Sequence, residues 1–269
     1  RTGCASGIGI NGLMAREEDL GELSDGPMVV KVKVGKDPLE DARRTNGLAE
    51  LLERQMGPQA RLRLDANQAW AVEDAARFVG ALSERAVALI EYWEEPVAPG
   101  NLVRDWERLS SLVDERVKLA VDESLTEGKV GVEDLEACKA PVAALILKPA
   151  LQGLERTLEL AAWAVARGQR PVLSSAFESG VALCHFAILA ASMTPLPGLR
   201  QSEVSACHGL GTFTHLAEDV LRPPFADLVR NGHGSGWGAD LLSCQGALDR
   251  TADALVAERL LEGRGGAIR

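Results

Sequence analysis

Short runs of valine, isoleucine and leucine recur along the chain, separated by longer stretches whose apolar residues return every third or fourth position. The runs are GIGINGLM (7–14), MVVKVKVG (28–35), RLRLDAN (61–67), ALIEYWEEP (88–96), KLAVDES (118–124), ALILKPA (144–150), RPVLSSAF (170–177) and, more weakly, LPGLRQSEV (196–204). Their length and β-branched content predict strands. Between them, 38–56 carries Leu39, Ala42, Leu48, Leu51 and Leu52 at mostly helical spacing, behind a proline suited to a first turn. Stretches 72–86, 152–167 and 179–193 predict further helices, and 99–113 and 128–139 do so more weakly. Eight strands alternating with helices predict an α/β fold with a parallel sheet. Periodicity alone suits an open doubly wound sheet as well as a closed barrel.

The polar positions distinguish the two. In MVVKVKVG, Lys31 and Lys33 share one side of the strand, because successive strand residues face opposite ways. Lysine is rarely buried unless something offsets its charge. Polar groups also collect at the carboxyl ends of the runs: Lys33, Asp65, Glu94, Asp122, Lys148, then Ser174 and Ser175. Successive separations from Lys33 to Ser174 are 32, 29, 28, 26 and 26 residues, about one βα unit each. A barrel gathers all of these over one mouth, where barrel active sites sit, whereas an open sheet strings them along a line. The convergence favours the barrel.

Three carboxylates in a small space require a cation. Asp65, Glu94 and Asp122 bring oxygen ligands with no histidine or cysteine beside them, a set suited to Mg²⁺ or Mn²⁺. The plainer alternative is that each acid caps a helix or faces solvent; three at one-unit spacing argue against it. Lys33 would reach the cluster from one side and Lys148 from the other. The ammonium of Lys31 beside Lys33 would lower its pKa towards that of a useful base.

Composition sets outer limits. The 269 residues are 46% hydrophobic, enough for one large core. With 29 basic and 39 acidic residues the net charge is −10, which argues against a general nucleic-acid surface. No apolar run approaches the roughly 20 residues of a membrane span. The five cysteines, Cys4, Cys138, Cys184, Cys207 and Cys244, are scattered without a CxxC, which fits a reducing compartment better than a disulfide framework. The pairs Cys184–His185 and Cys207–His208 lack the spacing of a zinc site or nucleophilic dyad. Trp70, Trp93, Trp106 and Trp163 suit packing, and GSGWG (234–238) follows no strand and is a poor phosphate cradle. The chain begins at Arg1 rather than Met, which reads as a piece of something longer.

Five motifs in order, KVKVG, LRLDANQAW, EYWEEP, LAVDES and LILKP, resemble the muconate-lactonising-like branch of the enolase superfamily, and within it the o-succinylbenzoate synthases. The resemblance implies a TIM-like (β/α)7β barrel over 1–220, without the N-terminal capping domain of that family, and a tail or joining segment over 221–269. It implies Asp65, Glu94 and Asp122 as magnesium ligands, Lys33 as general base tuned by Lys31, and Lys148 as a charge over the opposite face of the substrate. Arg63, Asn67, Glu95, Glu123, Ser174 and Ser175 would line the site or support it. The implied reaction is dehydration of 2-succinyl-6-hydroxy-2,4-cyclohexadiene-1-carboxylate to 2-succinylbenzoate in menaquinone or phylloquinone synthesis. N-succinylamino-acid racemase or dipeptide epimerase is the alternative within the superfamily, and a non-catalytic scaffold barrel the alternative outside enzymes. EYWEEPV and HGLGTFTHLAEDV (208–220) look most like the synthase module of a fused plant and algal phylloquinone-synthesis protein. That implies covalent attachment to other modules and a chloroplast location; otherwise a cytoplasmic one is expected.

Overall fold

Alternation in the second run places Val30 and Val32 among the buried residues of the strand–helix core, while Lys31 and Lys33 meet carboxylates from the next strands. The same division organises the whole chain. A computed structural model describes residues 7–14, 29–193, 207–232 and 236–265. In order these form β1 (Gly7–Gly9), β2 (Gly12–Met14), β3 (Val29–Lys33), α1 (Pro38–Met56), β4 (Arg61–Asp65), α2 (Val72–Gly80), α3 (Glu84–Leu89) and β5 (Ile90–Glu94). They continue with α4 (Leu102–Leu112), β6 (Leu119–Val121), α5 (Glu123–Thr126), α6 (Val132–Ala137), β7 (Val142–Leu147), α7 (Pro149–Gln152), α8 (Leu154–Ala166) and β8 (Arg170–Leu173). After α9 (Gly180–Ser192) come α10 (Phe225–Leu228), β9 (Val229–Gly232), β10 (Gly236–Asp240) and α11 (Leu241–Gly265). No helix among the described residues is long and apolar enough to cross a membrane.

Strands β2 to β8 form one parallel sheet in sequence order. The sheet curls shut through residues 208–209: Ser174 bridges Gly209, and Ile10 bridges His208, both in parallel. Gly209 N–H donates to Leu173 O at 2.7 Å, and Asn11 N–H to His208 O at 3.0 Å. The expected α/β barrel is therefore present, with its eighth position filled by a two-residue contact. The weak run at 196–204 lies outside the described residues.

Two apolar clusters result. The larger lies between strands and helices and holds the aromatic group Trp70, Phe78 and Trp93, with ring centroids 5.0–5.6 Å apart. The smaller, Tyr92, Ala120, Ala144, Ile146 and Val172, packs the barrel interior on the β5–β8 side. The interior beside β3 and β4 is charged instead, carrying Lys31, Arg63 and Asp65.

Three expectations change. The run 7–14 breaks at Ile10–Asn11, so that β1 pairs antiparallel with β10 and only β2 joins the barrel. The predicted helix 72–86 is two helices, because Ser83 caps a new one by accepting from Ala86 N–H at 3.1 Å. The segment that opens at Leu221, read as a tail, contributes Leu221, Phe225, Leu228, Cys244 and Ala247 to the larger core. Asp219 anchors this segment by accepting from the N–H groups of Gly180, Leu221 and Phe225 at 2.9–3.1 Å.

His208, at the closure, is fully enclosed. Burial, and behind it the charges of Arg63 and Arg170, push its imidazole down to about 3. Leu173 N–H donates to its Nδ1 at 3.1 Å, which requires that nitrogen to be unprotonated. An unfolded histidine titrates near 6.5, so below that pH the unfolded chain takes up a proton that the native state refuses. The contribution is complete above pH 6.5 and is lost as pH falls towards 3, at roughly one kcal/mol per unit. His208→Asn keeps an acceptor for Leu173 and removes the titration. Urea unfolding at pH 8 and pH 5 should show a smaller loss of stability in the variant than in the parent; equal losses would place the acid sensitivity elsewhere.

Candidate active site

Parallel register sets the first row of the site. Lys33 pairs with Asp65 across β3–β4, and Asp65 with Glu94 across β4–β5. Asp122, Lys148 and Ser174 follow the ends of β6, β7 and β8. The loop behind Lys33 is held tightly: Asp41 accepts from Gly35 and Lys36 N–H at 3.0 and 2.8 Å, and Arg44 bonds the Lys33 carbonyl. Gly35 has φ 113°, and a Cβ there would lie 2.8 Å from the Ala66 carbonyl oxygen. Only glycine lets these two strand ends approach so closely.

The charges pair across strands. Lys31 Nζ lies 2.5 Å from Glu94 Oε2 and 2.7 Å from Asp65 Oδ2, the oxygen that Lys33 Nζ also meets at 2.6 Å. Lys148 Nζ lies 2.6 Å from Asp122 Oδ1. Burial disfavours the Lys31 ammonium, but Glu94, Asp65 and Asp122 outweigh it and hold the group above the lysine range. Burial also opposes the Asp65 charge, and there Lys31 and Lys33 prevail, keeping it below the usual carboxylate range. For Glu94 burial wins, helped by Asp65 and Asp122, and lifts it to about 7. Asp122 is likewise raised, chiefly by burial. Lys31 is a fixed cation deep in the site, whereas the side chain of Lys33 is 42% exposed, against 14% for Lys31. Lys33 is the one able to reach a ligand.

As the side chains stand, no three acidic, histidine or cysteine groups among the described residues are arranged around one metal position. The ammonium of Lys31 lies between Asp65 and Glu94, within 2.7 Å of both. The donor set nevertheless suits a hard divalent ion. It is all oxygen, and beside it Glu123 Oε2 is a buried acceptor with no hydrogen-bond donor among the described residues.

Around this row lies a supporting shell. Asn67, at φ 46°, accepts from Lys33 Nζ at 2.5 Å and donates to Glu123 Oε1 at 2.6 Å, and its N–H reaches Asp65 Oδ1 at 2.9 Å. Glu95, at φ 42°, turns away from the mouth: its Oε1 accepts from Asp122 N–H at 2.8 Å and from the Ser124 hydroxyl at 2.5 Å. It holds the backbone that carries Asp122. A cavity of about 260 Å³ is lined by Lys31, Lys33, Asp65, Asn67, Asp122, Glu123 and Lys148 on one side and by Ser174 and Ser175 on the other.

Arg63 does not line it. Arg63 shares the face of Asp65 by strand alternation, which gives the face and not the depth. Arg63 sits one layer down, 1% exposed, bound to Glu91 at 2.8 Å and to the Cys207 carbonyl at 2.7 Å. Asn11, Phe177, Gly209 and Thr212 line the cavity without having been singled out. Thr212 Oγ1 lies 2.7 Å from Ser175 Oγ, and Phe177, at φ 69°, stands over the mouth near His215. None follows a strand at regular spacing, so periodicity gave no signal for them. Cys207–His208 belongs to the barrel closure and Cys184 to the core, and neither pair forms a nucleophilic site.

Lys31→Met tests the charge balance. Removing one partner of a buried ion pair leaves carboxylates unbalanced and should lower stability by about 3 kcal/mol without added metal. Magnesium chloride should then raise the melting temperature of the variant more than that of the parent, because the carboxylates have lost the cation that balances them. If magnesium stabilises neither protein, these carboxylates do not share a cation.

Comparison with known proteins accords with this architecture. The family described as Enolase C-terminal domain-like matches residues 17–241. The o-succinylbenzoate synthase of Aliivibrio fischeri (strain MJ11) is 34% identical over 184 residues, covering 67% of this chain and 52% of that protein. The chain thus spans about half the length of that relative. Protein PHYLLO, chloroplastic, of Arabidopsis thaliana is 31% identical over 234 residues, covering 77% of this chain and 12% of its own length. Among solved structures, a dipeptide epimerase from Cytophaga hutchinsonii complexed with Mg and the dipeptide D-Ala-L-Val superimposes with a TM-score of 0.61 at 20% identity, covering 87% of this chain and 60% of that one. That likeness speaks for the fold. With a family match over most of its length and a barrel whose strand ends carry the charged row, this chain belongs to the enolase C-terminal domain-like family.

Proposed function

We propose that the chain is the catalytic barrel of an o-succinylbenzoate synthase, removing water from 2-succinyl-6-hydroxy-2,4-cyclohexadiene-1-carboxylate to give 2-succinylbenzoate in menaquinone or phylloquinone synthesis. The observation that carries the reading is that Lys33 and Lys148, from opposite parts of the barrel, line one cavity with Asp65 and Asp122. Identity to o-succinylbenzoate synthases supports the choice of reaction. Asp65, Glu94 and Asp122 would hold the divalent ion, magnesium or manganese, whose charge on the substrate carboxylate makes the adjacent C–H acidic.

The chain's own residues do the rest. Lys33, released from Asp65 as a neutral amine, takes the proton from the carbon bearing the carboxylate. Lys148 remains an ammonium and faces the dianion so formed. Lys33 then returns its proton to the departing hydroxyl, so that one C–H and one C–O bond break, a C=C bond forms and water leaves. Asn67, bonded to Lys33 and Glu123, limits where the Lys33 amine can swing. Ser174 and Ser175 face the succinyl end. Similarity to the plant protein supports a module of a longer, plastid-located chain.

The assay is appearance of 2-succinylbenzoate from the cyclohexadiene substrate with and without magnesium. Lys33→Arg should lower kcat roughly a thousandfold, since a guanidinium cannot serve as the base. Asp122→Asn should remove most of the magnesium-dependent rate while the far-UV spectrum stays that of the parent. Near-normal turnover by Lys33→Arg would assign the base elsewhere. If N-succinylamino acids are racemised and the cyclohexadiene is untouched, the same lysines serve a racemase.

A further inference from the structure

Asn11 sits in the gap between β1 and β2, 4% exposed, and forms part of the cavity wall between the charged row and the Ser174–Thr212 side. No strand periodicity marks it, and it takes no part in the ion pairs above. Its amide is oriented from below. Arg63 Nη1 donates to Asn11 Oδ1 at 3.1 Å. A guanidinium has only donors, so the group facing it must be the carbonyl oxygen, and the amide cannot rest in the flipped arrangement.

Arg63 in turn has little freedom. Its Nε donates to Glu91 Oε2 at 2.8 Å, its Nη1 also reaches the Cys207 carbonyl at 2.7 Å, and its guanidinium lies over the Tyr92 ring at 4.9 Å. Glu91 is held from its other oxygen by Arg170 at 3.0 Å. A chain of charges, partly exposed at Arg170 and fully buried at Arg63, thus ends on one neutral amide at the cavity wall. The amide nitrogen has two hydrogens, and one is used on the Gly12 carbonyl at 3.2 Å. The other remains.

We infer that Asn11 Nδ2 is a substrate-binding donor for a carboxylate or ketone oxygen, and that Arg63 is a positioning residue that keeps this donor turned towards the cavity. The inference rests on the proposed carbon-acid reaction only in the choice of ligand. A neutral donor suits this place because it binds an oxygen without adding a fourth cation to a site where Lys31, Lys33 and Lys148 already balance the acids. A fixed orientation also avoids the entropy of turning the amide when the ligand arrives.

The test uses the full-length protein with magnesium, measuring turnover of the cyclohexadiene substrate and calorimetric binding of 2-succinylbenzoate. Asn11→Asp keeps an oxygen for Arg63, and the fold with it, but replaces the donor by an acceptor. It should raise KM and the product Kd by about tenfold or more, while Mn²⁺ affinity stays at the parental value. Asn11→Ser, which retains a shorter donor, should recover part of the loss. Arg63→Met should weaken binding in the parent and add little in the Asn11→Asp background, because its contribution passes through that amide. A general structural role would instead lower Mn²⁺ affinity and product affinity together and give additive losses. Unchanged KM and Kd in Asn11→Asp, beside an active parent, would overturn the inference while leaving the proposed reaction standing. A parent inactive on the cyclohexadiene would remove that reaction, and the same variants would then be measured on N-succinylamino acids, where unchanged KM again overturns the inference.

Discussion

The rest of the structure depends on burying unlike charges in one row. An ammonium or a carboxylate taken from water alone is prohibitive, whereas a row in which each carboxylate finds a cation within hydrogen-bond reach can be tolerated. Lys31 sits 2.5 Å from Glu94 and 2.7 Å from Asp65, and none of the three can move without exposing another. This arrangement needs parallel strands in register, so that Lys33, Asp65 and Glu94 lie side by side. It also needs closure of the sheet, which brings Lys148 and Asp122 round to the same mouth.

The interior divides accordingly. Beside β3 and β4 it is charged down to Arg63, while the β5–β8 side is filled by Tyr92, Ala120, Ala144, Ile146 and Val172. A barrel interior is normally packed by apolar branched residues, and here half of that filling is given up. The compensation lies outside the ring, where the larger core between strands and helices runs from Ile8 to Ala247. Leu221, Phe225, Leu228, Cys244 and Ala247 belong to this compensation. Asp219 ties Leu221 and Phe225 to the start of α9, and these apolar side chains extend the core.

The parts of the fold legible in the sequence were those with a period. Valine alternation around Lys31 and Lys33, and the spacing of about one βα unit from Lys33 to Ser174, were enough to place the charged row at one end of a barrel. Depth was not legible. Arg63 shares the face of Asp65, yet it lies a layer below the cavity and bonds Cys207, a partner 144 residues away. The closure was also hidden, because two residues at 208–209 make no pattern that a window can register. Glu95 shows a third limit. Its acidic neighbour Glu94 faces inward, but the positive φ of Glu95 rotates its carboxylate onto the backbone of Asp122, and no spacing rule anticipates that turn.

The two sides of the cavity also differ in what fixes them. The charged side is held by ion pairs between regular strands, so its geometry follows from register and tolerates little change. The opposite side is built from Ser174, Ser175, Gly209 and Thr212, joined by hydroxyl contacts such as Ser175–Thr212 at 2.7 Å and by the short bridge at Gly209. A Cβ at Gly209 would meet Ser174 Oγ at 2.7 Å, so even one added carbon there would reshape that wall. The proton transfer proposed above would demand the first kind of construction, because a base must stand within bonding distance of one carbon. Choice of substrate suits the second, because a neutral wall can change shape without unbalancing the buried charges. Asn11 stands where the two meet: its backbone joins the bridge at His208 and its amide is oriented by the charged interior.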